Sequence, residues 1–391
     1  MKESLFNYRF EYENQKYIFN TNNNGLIQIN NDIFTEEERE YLRVNRFWVD
    51  DNEDEIALLE REINHKRQKE LELTIALTNY CNFSCVYCYQ NKNEKLMTTE
   101  VANMIIEKID RILNDNIFEG INIHYFGGEP LLNIPVLIYL DENIKKITDK
   151  IGIVYKAFLT TNGSMLSKEL LQKVKFSSIQ LTFDGLEKTH DRLRVSDHFH
   201  FKEEIELIEN IMNFSQAKVL LRTNICKENK DEIIALHKYI FEKFGNERIE
   251  INPNRTIKYH QDDSFEMLSV QEYAEVAYQI KLLWSEQKGK FELPVPRSTP
   301  CKFPYGNAYA ISPEGYCTFC SGSMDQEKKY FFDVDIENKK MFSVRKECKK
   351  CNILPLCLGG CIIQYNLRAG ACTYEKYELK NILISYIKHI S

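Results

Sequence analysis

The segment LELTIALTNYCNFSCVYCYQ (residues 71–90) joins a strand pattern to three cysteines, Cys81, Cys85 and Cys88. Its first eight residues are mostly apolar and predict a strand, which puts the cysteine loop at that strand's carboxyl end. Cysteine thiolates at such short spacing favour zinc or an iron-sulfur cluster. The next cysteine, Cys226, lies far along the chain. Three ligands therefore leave one metal position without a protein ligand.

Outward from this segment, short apolar runs alternate with helical patterns, such as the helices predicted at residues 98–113 and 270–284. This alternation indicates an α/β fold with a parallel sheet and right-handed crossovers, either open or curved into part of a barrel. Ligand sites in such folds lie at the carboxyl ends of the strands. The predicted strands are residues 71–78, 121–126, 153–161, 178–183, 218–225 and 248–252.

The composition is that of a globular protein: 391 residues, 43% hydrophobic and 28% charged, enough for two or three domains. No signal peptide and no apolar run of about 18 residues is present, so we expect a cytoplasmic protein without a membrane partner. The net charge of -7 gives no electrostatic reason for nucleic-acid binding. Twelve cysteines in a cytosolic chain favour metal binding or redox chemistry over disulfides.

The two ends of the chain have their own patterns. Residues 1–70 alternate polar and apolar residues around NTNNNG (residues 20–25) and continue into an amphipathic stretch, which predicts a β-hairpin plus helices. The acidic run DDNEDE (residues 50–55) is interpreted as a solvated loop or helix start. Residues 288–391 have weak periodicity and many cysteines, which indicates a segment held by metal, and a helix closes the chain at 375–390.

The cysteine loop, with Tyr87 before its last cysteine, resembles the signature of radical S-adenosylmethionine (SAM) enzymes. The resemblance implies a partial (β/α)6 TIM-like barrel over residues 71–287 and a 4Fe-4S cluster on Cys81, Cys85 and Cys88. In that family the open iron binds the amino and carboxylate groups of SAM. One-electron reduction then yields a 5'-deoxyadenosyl radical that abstracts a substrate hydrogen.

The segment YFGGEP (residues 125–130) resembles the family's GGE motif, which binds the SAM amino group. Two glycines, Gly127 and Gly128, let backbone carbonyls approach an ammonium group, and Glu129 adds opposite charge.

Three further segments resemble parts of the SAM pocket. They are TTNG (residues 160–163) with Asn162, LTFDGLEKTHDRLR (residues 181–194), and RTNI (residues 222–225). Thr182 stands where the family commonly has a serine and is expected to offer its hydroxyl to the SAM carboxylate. Arg194 is either a second partner of that carboxylate or an exposed salt-bridging arginine.

The C-terminal cysteines resemble the seven-cysteine pattern of the SPASM domain, including the spacing around Gly315. The resemblance implies two auxiliary 4Fe-4S clusters, for three clusters in all. The first would be held by Cys301, Cys320 and Cys361, and the second by Cys348, Cys351, Cys357 and Cys372. Cys317 is surplus: it completes the first cluster, or that cluster keeps an open iron for a substrate thiolate. A zinc ribbon is the competing interpretation, with the ligands Cys317, Cys320, Cys348 and Cys351.

SPASM members of the family mostly modify peptides, so the resemblance implies a radical SAM maturase of a ribosomally made precursor peptide. We expect residues 1–70 to bind the leader as an added strand, a flavodoxin or ferredoxin type reductase to donate electrons, and a thioether as the most favoured cross-link. Anaerobic sulfatase maturases are the nearest alternative, although they carry an aspartate where this chain has Ser321. A zinc- or cluster-stabilised peptide-binding or electron-transfer protein is the alternative from another class.

Overall fold

The computed structural model describes residues 1–29, 34–65, 69–115, 118–245, 247–258, 264–318, 320–323, 329–334, 341–362 and 372–390. The chain divides into two compact units. The terminal unit comprises Met1–Arg67, Ser269–Tyr305 and Lys340–Ser391. The sheet unit comprises Gln68–Leu268 and Gly306–Lys339. The three domains that we assign from the sequence, at 1–70, 71–287 and 288–391, stay predictions.

The terminal unit begins with small sheets and two helices. Its strands are β1 (Lys2–Glu3), β2 (Asn7–Tyr12), β3 (Gln15–Asn20), β4 (Gly25–Ile29) and β5 (Trp48–Val49), and its first helices are α1 (Glu36–Val44) and α2 (Glu55–His65). β2, β3 and β4 form an antiparallel sheet in that order, and β1 pairs with β5. The hairpin predicted around residues 20–25 is therefore present as the β3–β4 turn.

The acidic run at residues 50–55 ends at a residue that the sequence interpretation missed. Most of the run is exposed, but Glu55, the first residue of α2, is buried. Its carboxylate accepts hydrogen bonds from the Ser4 hydroxyl at 2.5 Å and from the Leu5 N–H at 2.7 Å. Because these donors lie about fifty residues away along the chain, local charge patterning gave no sign of the contact.

The sheet unit is built on a nine-stranded sheet. In spatial order, six parallel strands match the six sequence predictions to within two or three residues at their ends. They are β6 (Glu70–Ala76), β7 (Gly120–Phe126), β8 (Val154–Thr160), β9 (Phe176–Thr182), β10 (Lys218–Ile225) and β11 (Ile249–Arg255). Beside β6 the sheet continues with β12 (Ala308–Ile311), which is parallel, and β13 (Tyr316–Thr318) and β14 (Lys329–Tyr330), which are antiparallel. The predicted α/β fold with a mostly parallel sheet is confirmed.

Helices connect the parallel strands: α3 (Thr99–Asp115), α4 (Ile134–Ile151), α5 (Lys168–Lys173), α6 (Glu187–Leu193), α7 (Phe201–Phe214) and α8 (Ile233–Phe244). Alternate strand residues such as Leu73, Ile123 and Leu181 are buried, and each contributes about 1.5–3 kcal/mol of burial free energy. The opposite strand positions are polar and half-buried in many places, as at His124 and Gln180. Because the strands are parallel, their carboxyl ends meet at one edge, where the cysteine loop begins.

The rest of the terminal unit is helical: α9 (Val270–Lys288), α10 (Lys302–Tyr305), α11 (Leu354–Cys357) and α12 (Glu375–Ile390), the last as predicted. α9 contacts α12 through a Tyr278–Ser385 hydrogen bond of 2.8 Å and a Lys281–Glu378 ion pair of 2.5 Å. Within the described ranges, no helix combines the length and the apolar character that crossing a membrane requires.

Candidate functional site

The cysteine loop is closed at its base, directly after β6. The Thr78 hydroxyl donates a hydrogen bond to the Lys95 carbonyl at 2.9 Å, and the Met97 N–H donates to the Leu77 carbonyl at 2.8 Å. All twelve cysteines lie in described ranges and none is in a disulfide. The three cysteines of this loop are half-buried, so their sulfurs belong to a constrained loop at a sheet edge rather than to the core.

Gly127 and Gly128 pack against the backbone of the cysteine loop. The Gly128 N–H donates to the Thr78 carbonyl at 2.8 Å, and the Glu129 N–H donates to the Tyr80 carbonyl at 2.8 Å. A Cβ at Gly127 would lie 2.3 Å from the Thr78 oxygen, and one at Gly128 would lie 2.1 Å from the Tyr80 oxygen. Glycine is therefore required here by the close approach of two loops, a reason that we did not derive from the sequence.

The carboxylate of Glu129 is buried and links two strand ends. Its oxygens accept hydrogen bonds from the Leu131 N–H (3.0 Å), the Thr161 hydroxyl (2.6 Å) and the Asn162 N–H (2.7 Å). Burial raises the pKa of Glu129, and these donors oppose that shift. Glu129 thus holds the TTNG segment after β8 against the GGE segment after β7, in addition to any role toward a ligand.

Asn162 connects the TTNG segment to the first cysteine. Its side-chain amide donates to Asn82 Oδ1 at 2.8 Å and approaches Cys81 Sγ at 3.9 Å. The Phe83 N–H also donates to Cys81 Sγ, at 3.4 Å. Two N–H groups therefore point at one sulfur, an arrangement that stabilises a thiolate and tunes the potential of a bound cluster.

Tyr87 contacts the segment that follows β9. Its hydroxyl donates to a carboxylate oxygen of Asp184, and the other oxygen of Asp184 accepts the Asn224 N–H at 2.7 Å. Burial raises the pKa of Tyr87 well above its usual range, so the phenol stays protonated as a donor. Asp184 thereby joins the cysteine loop to the ends of β9 and β10.

Arg194 is not the exposed arginine that one sequence interpretation allowed. It is 6% exposed, because α6 and α7 cover it, and its Nη2 donates to Glu204 Oε1 at 3.2 Å. Its guanidinium carbon lies 5.4 Å from the centre of the Phe83 ring. Nε of Arg194 is buried and has no hydrogen-bond partner among the described residues. This N–H is a free donor beside the cysteine loop, suited to an anionic group.

Thr182 ends β9 and pairs in register with Arg222 of β10. The Thr182 side chain is buried, and Arg222 is half-buried with its Nε donating to Asn224 Oδ1 at 2.9 Å. A hydroxyl and a guanidinium therefore stand on neighbouring strands at the carboxyl edge of the sheet. This pair is a second place where a carboxylate can be bound.

Cys81 and Cys85 are held in a protein environment that disfavours ionisation of their thiols without a cation. Burial raises the pKa of Cys81, and it raises the pKa of Cys85 to about 12, while the Arg194 charge opposes the second shift. A bound metal reverses this balance, because coordination deprotonates the thiol outright.

The cysteines of the terminal unit lie in two places. Three of them follow one another through a tight turn, with the Cys351 N–H donating to the Cys348 carbonyl at 3.1 Å and Cys357 ending α11. The side chain of Thr373, next to Cys372, lies near the Cys357 thiol, which brings the fourth cysteine of this set near the turn. Separately, Cys301 and Cys361 are close enough for charge on one to raise the pKa of the other.

The sheet unit holds two further cysteines of the C-terminal pattern. Cys317 is buried on β13, and Cys320 follows it with the Gly322 N–H donating to its sulfur at 3.3 Å. Across the described ranges, no three His, Cys, Asp or Glu side chains stand in an arrangement suited to a single metal ion. All metal assignments, including those of the cysteine loop, therefore stay proposals that rest on sequence spacing.

Cys226 is a buried thiol of the core. It is fully buried at the end of β10 and packs with Leu193 and Phe265. The residues that sequence reasoning missed are polar and buried nearby. They are Thr161, Asp184, His190 and Glu204. A signal existed for Glu204, since it shares the apolar stripe of α7 with Phe201 and Ile208.

Comparison with known proteins finds a family match within the sheet unit. Residues 75–240 match the Radical SAM superfamily. The radical SAM cyclopropyl synthase TigE of Paramaledivibacter caminithermalis is 24% identical over 80% of this chain and 73% of its own length. The uncharacterized protein MJ0907 of Methanocaldococcus jannaschii is 34% identical over 29% of this chain, which spans only 39% of that relative. Residues 75–240 thus resemble a radical SAM domain, and TigE, a relative named for its activity, is an enzyme.

Solved structures agree on the fold. The structure of anSMEcpe with bound AdoMet superposes with a TM-score of 0.66 at 18% identity, over 82% of this chain and 98% of that one. Streptococcus suis SuiB bound to S-adenosylmethionine superposes with a TM-score of 0.56 at 16% identity, over 94% of this chain and 96% of that one. These likenesses confirm the radical SAM α/β fold expected from the cysteine loop and its neighbouring segments.

Proposed function

We propose that this chain uses its radical SAM domain to cleave SAM reductively and to abstract a hydrogen from a ribosomally made precursor peptide, installing a cross-link, with a thioether favoured. The observation that carries the proposal is the cysteine loop at the carboxyl end of β6, held by segments from the ends of β7, β8 and β9. When bound, a 4Fe-4S cluster and SAM supply the one-electron chemistry that generates the hydrogen-abstracting radical.

The donor set of the loop fits a cluster with an open iron. Cys81, Cys85 and Cys88 would hold three irons, and the N–H groups of Phe83 and Asn162 would support the first of these sulfurs. The buried, unpartnered Nε of Arg194 suits the carboxylate of SAM, with the Thr182 hydroxyl as a second contact. This chain's own contribution is thus to fix the sulfurs, to orient SAM and to keep water away from both.

A peptide substrate is supported by the structural neighbours. SuiB has been solved bound to the precursor peptide SuiA, and anSMEcpe with bound AdoMet and the Cp18Cys peptide. For the present chain we propose a precursor peptide with a leader, an electron-donating reductase and a cytoplasmic location.

The N-terminal sheet supports leader binding by this chain. β4 is an edge strand, and beside it lies a groove of about 310 Å³ lined by residues of β4 and α1. Tyr41 and Val44 of α1 are exposed at this groove, Val44 by 68%. An extended leader would pair its backbone with β4 and place apolar side chains in the groove.

We further propose that two auxiliary 4Fe-4S clusters take part, one on Cys348, Cys351, Cys357 and Cys372. The turn through Cys348 and Cys351 and the contact of Thr373 with Cys357 support this second set. The other cluster would use Cys301, Cys320 and Cys361, with Cys317 or a substrate thiolate in its remaining place.

Iron content after anaerobic reconstitution tests the cofactor assignment. The proposal predicts about twelve irons per chain, and about eight after replacing Cys81, Cys85 and Cys88 by alanine. A colourless protein with bound zinc would support the zinc-stabilised alternative instead. An iron content that the triple replacement leaves unchanged would refute the cluster on this loop.

Leader binding is tested by Val44→Lys, which puts a charge into the groove and is expected to weaken binding of the precursor peptide about 10-fold or more. The probe is the labelled peptide encoded by a short cysteine-containing reading frame sought beside the gene, and binding is measured by fluorescence anisotropy. Val154→Lys is the matched control, since Val154 is an exposed valine of the sheet unit, at 54%. Equal affinity in the two variants would make residues 1–70 a structural cap only.

Formation of formylglycine in a sulfatase is the second candidate function, supported by the structural likeness to anSMEcpe with its bound peptide. Ser321, which begins a short helix after Cys320, offers no carboxylate as a base. Mass spectrometry separates the two functions. A cross-link removes two hydrogens from the precursor peptide, whereas a maturase of the second kind converts the cysteine or serine of a sulfatase peptide into an aldehyde.

A further inference from the structure

Behind the cysteine loop lies a buried cluster of charged and polar side chains contributed by the end of β9 and by α6 and α7. Asp184 and Glu204 are 0% exposed, His190 is 1% exposed and Arg194 is 6% exposed. Charged side chains are almost never buried to this degree unless they are paired. This cluster lies outside the cysteine and glycine motifs and contains residues to which those motifs assign no role.

Arg194 is held directly against the cysteine loop. The Ser84 N–H donates to the Val195 carbonyl at 2.8 Å, and the Val86 N–H donates to the Leu193 carbonyl at 3.0 Å. Arg194 lies between the two residues that accept these hydrogen bonds, and Cys85 lies between the two residues that donate them. The backbone therefore fixes the position of Arg194, but the rotatable bonds of its long side chain still separate the guanidinium from that backbone.

Glu204 fixes the far end of the Arg194 side chain. Its Oε1 accepts from Arg194 Nη2 at 3.2 Å, and its Oε2 lies 3.5 Å from His190 Nε2. Because His190 Nδ1 accepts the Asp184 N–H at 3.4 Å, the neutral imidazole carries its proton on Nε2, facing Glu204. Glu204 is thus held through Oε1, by which α7 positions the guanidinium, while Oε2 is buried without a hydrogen-bond partner among the described residues.

A contribution to the stability of the fold does not by itself explain why Arg194 and Glu204 are paired in the interior. Burial raises the pKa of Glu204, although the Arg194 charge opposes the shift, and burial lowers the pKa of His190. A buried ion pair replaced by apolar side chains of similar volume commonly leaves a protein as stable or more so. Arg194 Nε is also buried without a hydrogen-bond partner among the described residues, and an unmade hydrogen bond of this kind lowers the stability of the fold.

We propose that Glu204 is a positioning residue, which through its ion pair with Arg194 orients the free Nε–H of that arginine toward the carboxylate of SAM bound at the cysteine loop. This inference rests on the proposed function. Asp184 donates its N–H to His190 and connects the same cluster to Tyr87 of the loop.

The test measures the dissociation constant of SAM for reconstituted protein by equilibrium dialysis. Glu204→Gln removes the charge of the pair and is expected to weaken SAM binding about 10-fold, as the loss of a hydrogen bond to a charged group does. Glu204→Asp, which keeps the charge, is expected to recover part of the loss. Glu378→Gln is the matched control, because Glu378 is a buried carboxylate of the terminal unit paired with Lys281.

A double-mutant cycle separates positioning from folding. Arg194→Met with Glu204→Leu removes the pair without leaving a buried charge, and is expected to fold, to bind full iron and to bind SAM as weakly as Arg194→Met alone. Additive losses, or wild-type SAM affinity in Glu204→Gln with full iron content, would overturn the role of Glu204. Failure of wild-type reconstituted protein to bind SAM would instead overturn the proposed function, and this inference with it.

Discussion

Replacing Gly128 by alanine tests whether the glycines of the GGE segment hold the cysteine loop in place. The added Cβ would lie 2.1 Å from the Tyr80 oxygen and 2.5 Å from the Tyr80 carbonyl carbon, both of them backbone atoms. Because real Cβ contacts are essentially never shorter than 3.0 Å, the two loops must separate by about 1 Å. The hydrogen bonds from Gly128 and Glu129 to the cysteine loop would lengthen with that movement.

We expect Gly128→Ala to lower the free energy of unfolding by about 1–3 kcal/mol, as overpacking of a tight contact does. A displacement of about 1 Å is also enough to lower the rate of SAM cleavage about 100-fold. Both effects are measured on one preparation, by urea unfolding and by formation of 5'-deoxyadenosine from SAM.

Gly152→Ala is the matched control. Gly152 ends α4 with a φ of +82°, and no atom lies within 4 Å of its Cβ position, so alanine adds only backbone strain of about 1 kcal/mol. Its SAM cleavage should stay at the wild-type level. Wild-type stability and activity in Gly128→Ala, or equal losses of activity in both variants, would refute the proposed contact between the loops.

Three further predictions concern buried groups around the site. Thr161→Val removes a donor to Glu129 and should lower the free energy of unfolding by about 1–3 kcal/mol, and an unchanged urea midpoint would contradict this. Cys226→Ala should cost about 1 kcal/mol and leave the iron content unchanged, so the loss of about four irons would make Cys226 a ligand. Because burial raises the pKa of Glu204 on folding, its contribution to stability is fully present below the unfolded value near 4.5 and is lost as pH rises through the raised pKa. Glu204→Gln should therefore flatten the fall in the free energy of unfolding of the metal-free protein above pH 4.5, and parallel curves for the two proteins would refute the raised pKa.

Much of the sheet unit follows from local sequence. The apolar runs that form β6 to β11 are separated by amphipathic helices. The spacing of apolar residues therefore predicts the type of each element and the order of strands and helices along the chain. The site segments were found because each follows one of these strands, and parallel strands bring such ends together.

What the sequence did not reveal depends on contacts between distant residues. Glu55 looks like an ordinary surface acid at a helix start, and Glu204 is marked only by its place on the apolar stripe of α7. Each is buried by partners that only the tertiary fold supplies. The requirement for Gly128 comes from the Tyr80 carbonyl of another loop, which no local pattern contains. Residues 308–311 form β12 beside β6, although the weak periodicity after residue 288 gave no strand prediction there.

Formation of 5'-deoxyadenosine from SAM tests the central claim most directly. Reconstituted wild-type protein, reduced by dithionite under anaerobic conditions, is compared with the variant in which Cys81, Cys85 and Cys88 are alanine. We predict dithionite-dependent product from the wild type and none from the variant. Equal product from both proteins, or none from wild-type protein with full iron content, would contradict SAM cleavage at the cysteine loop.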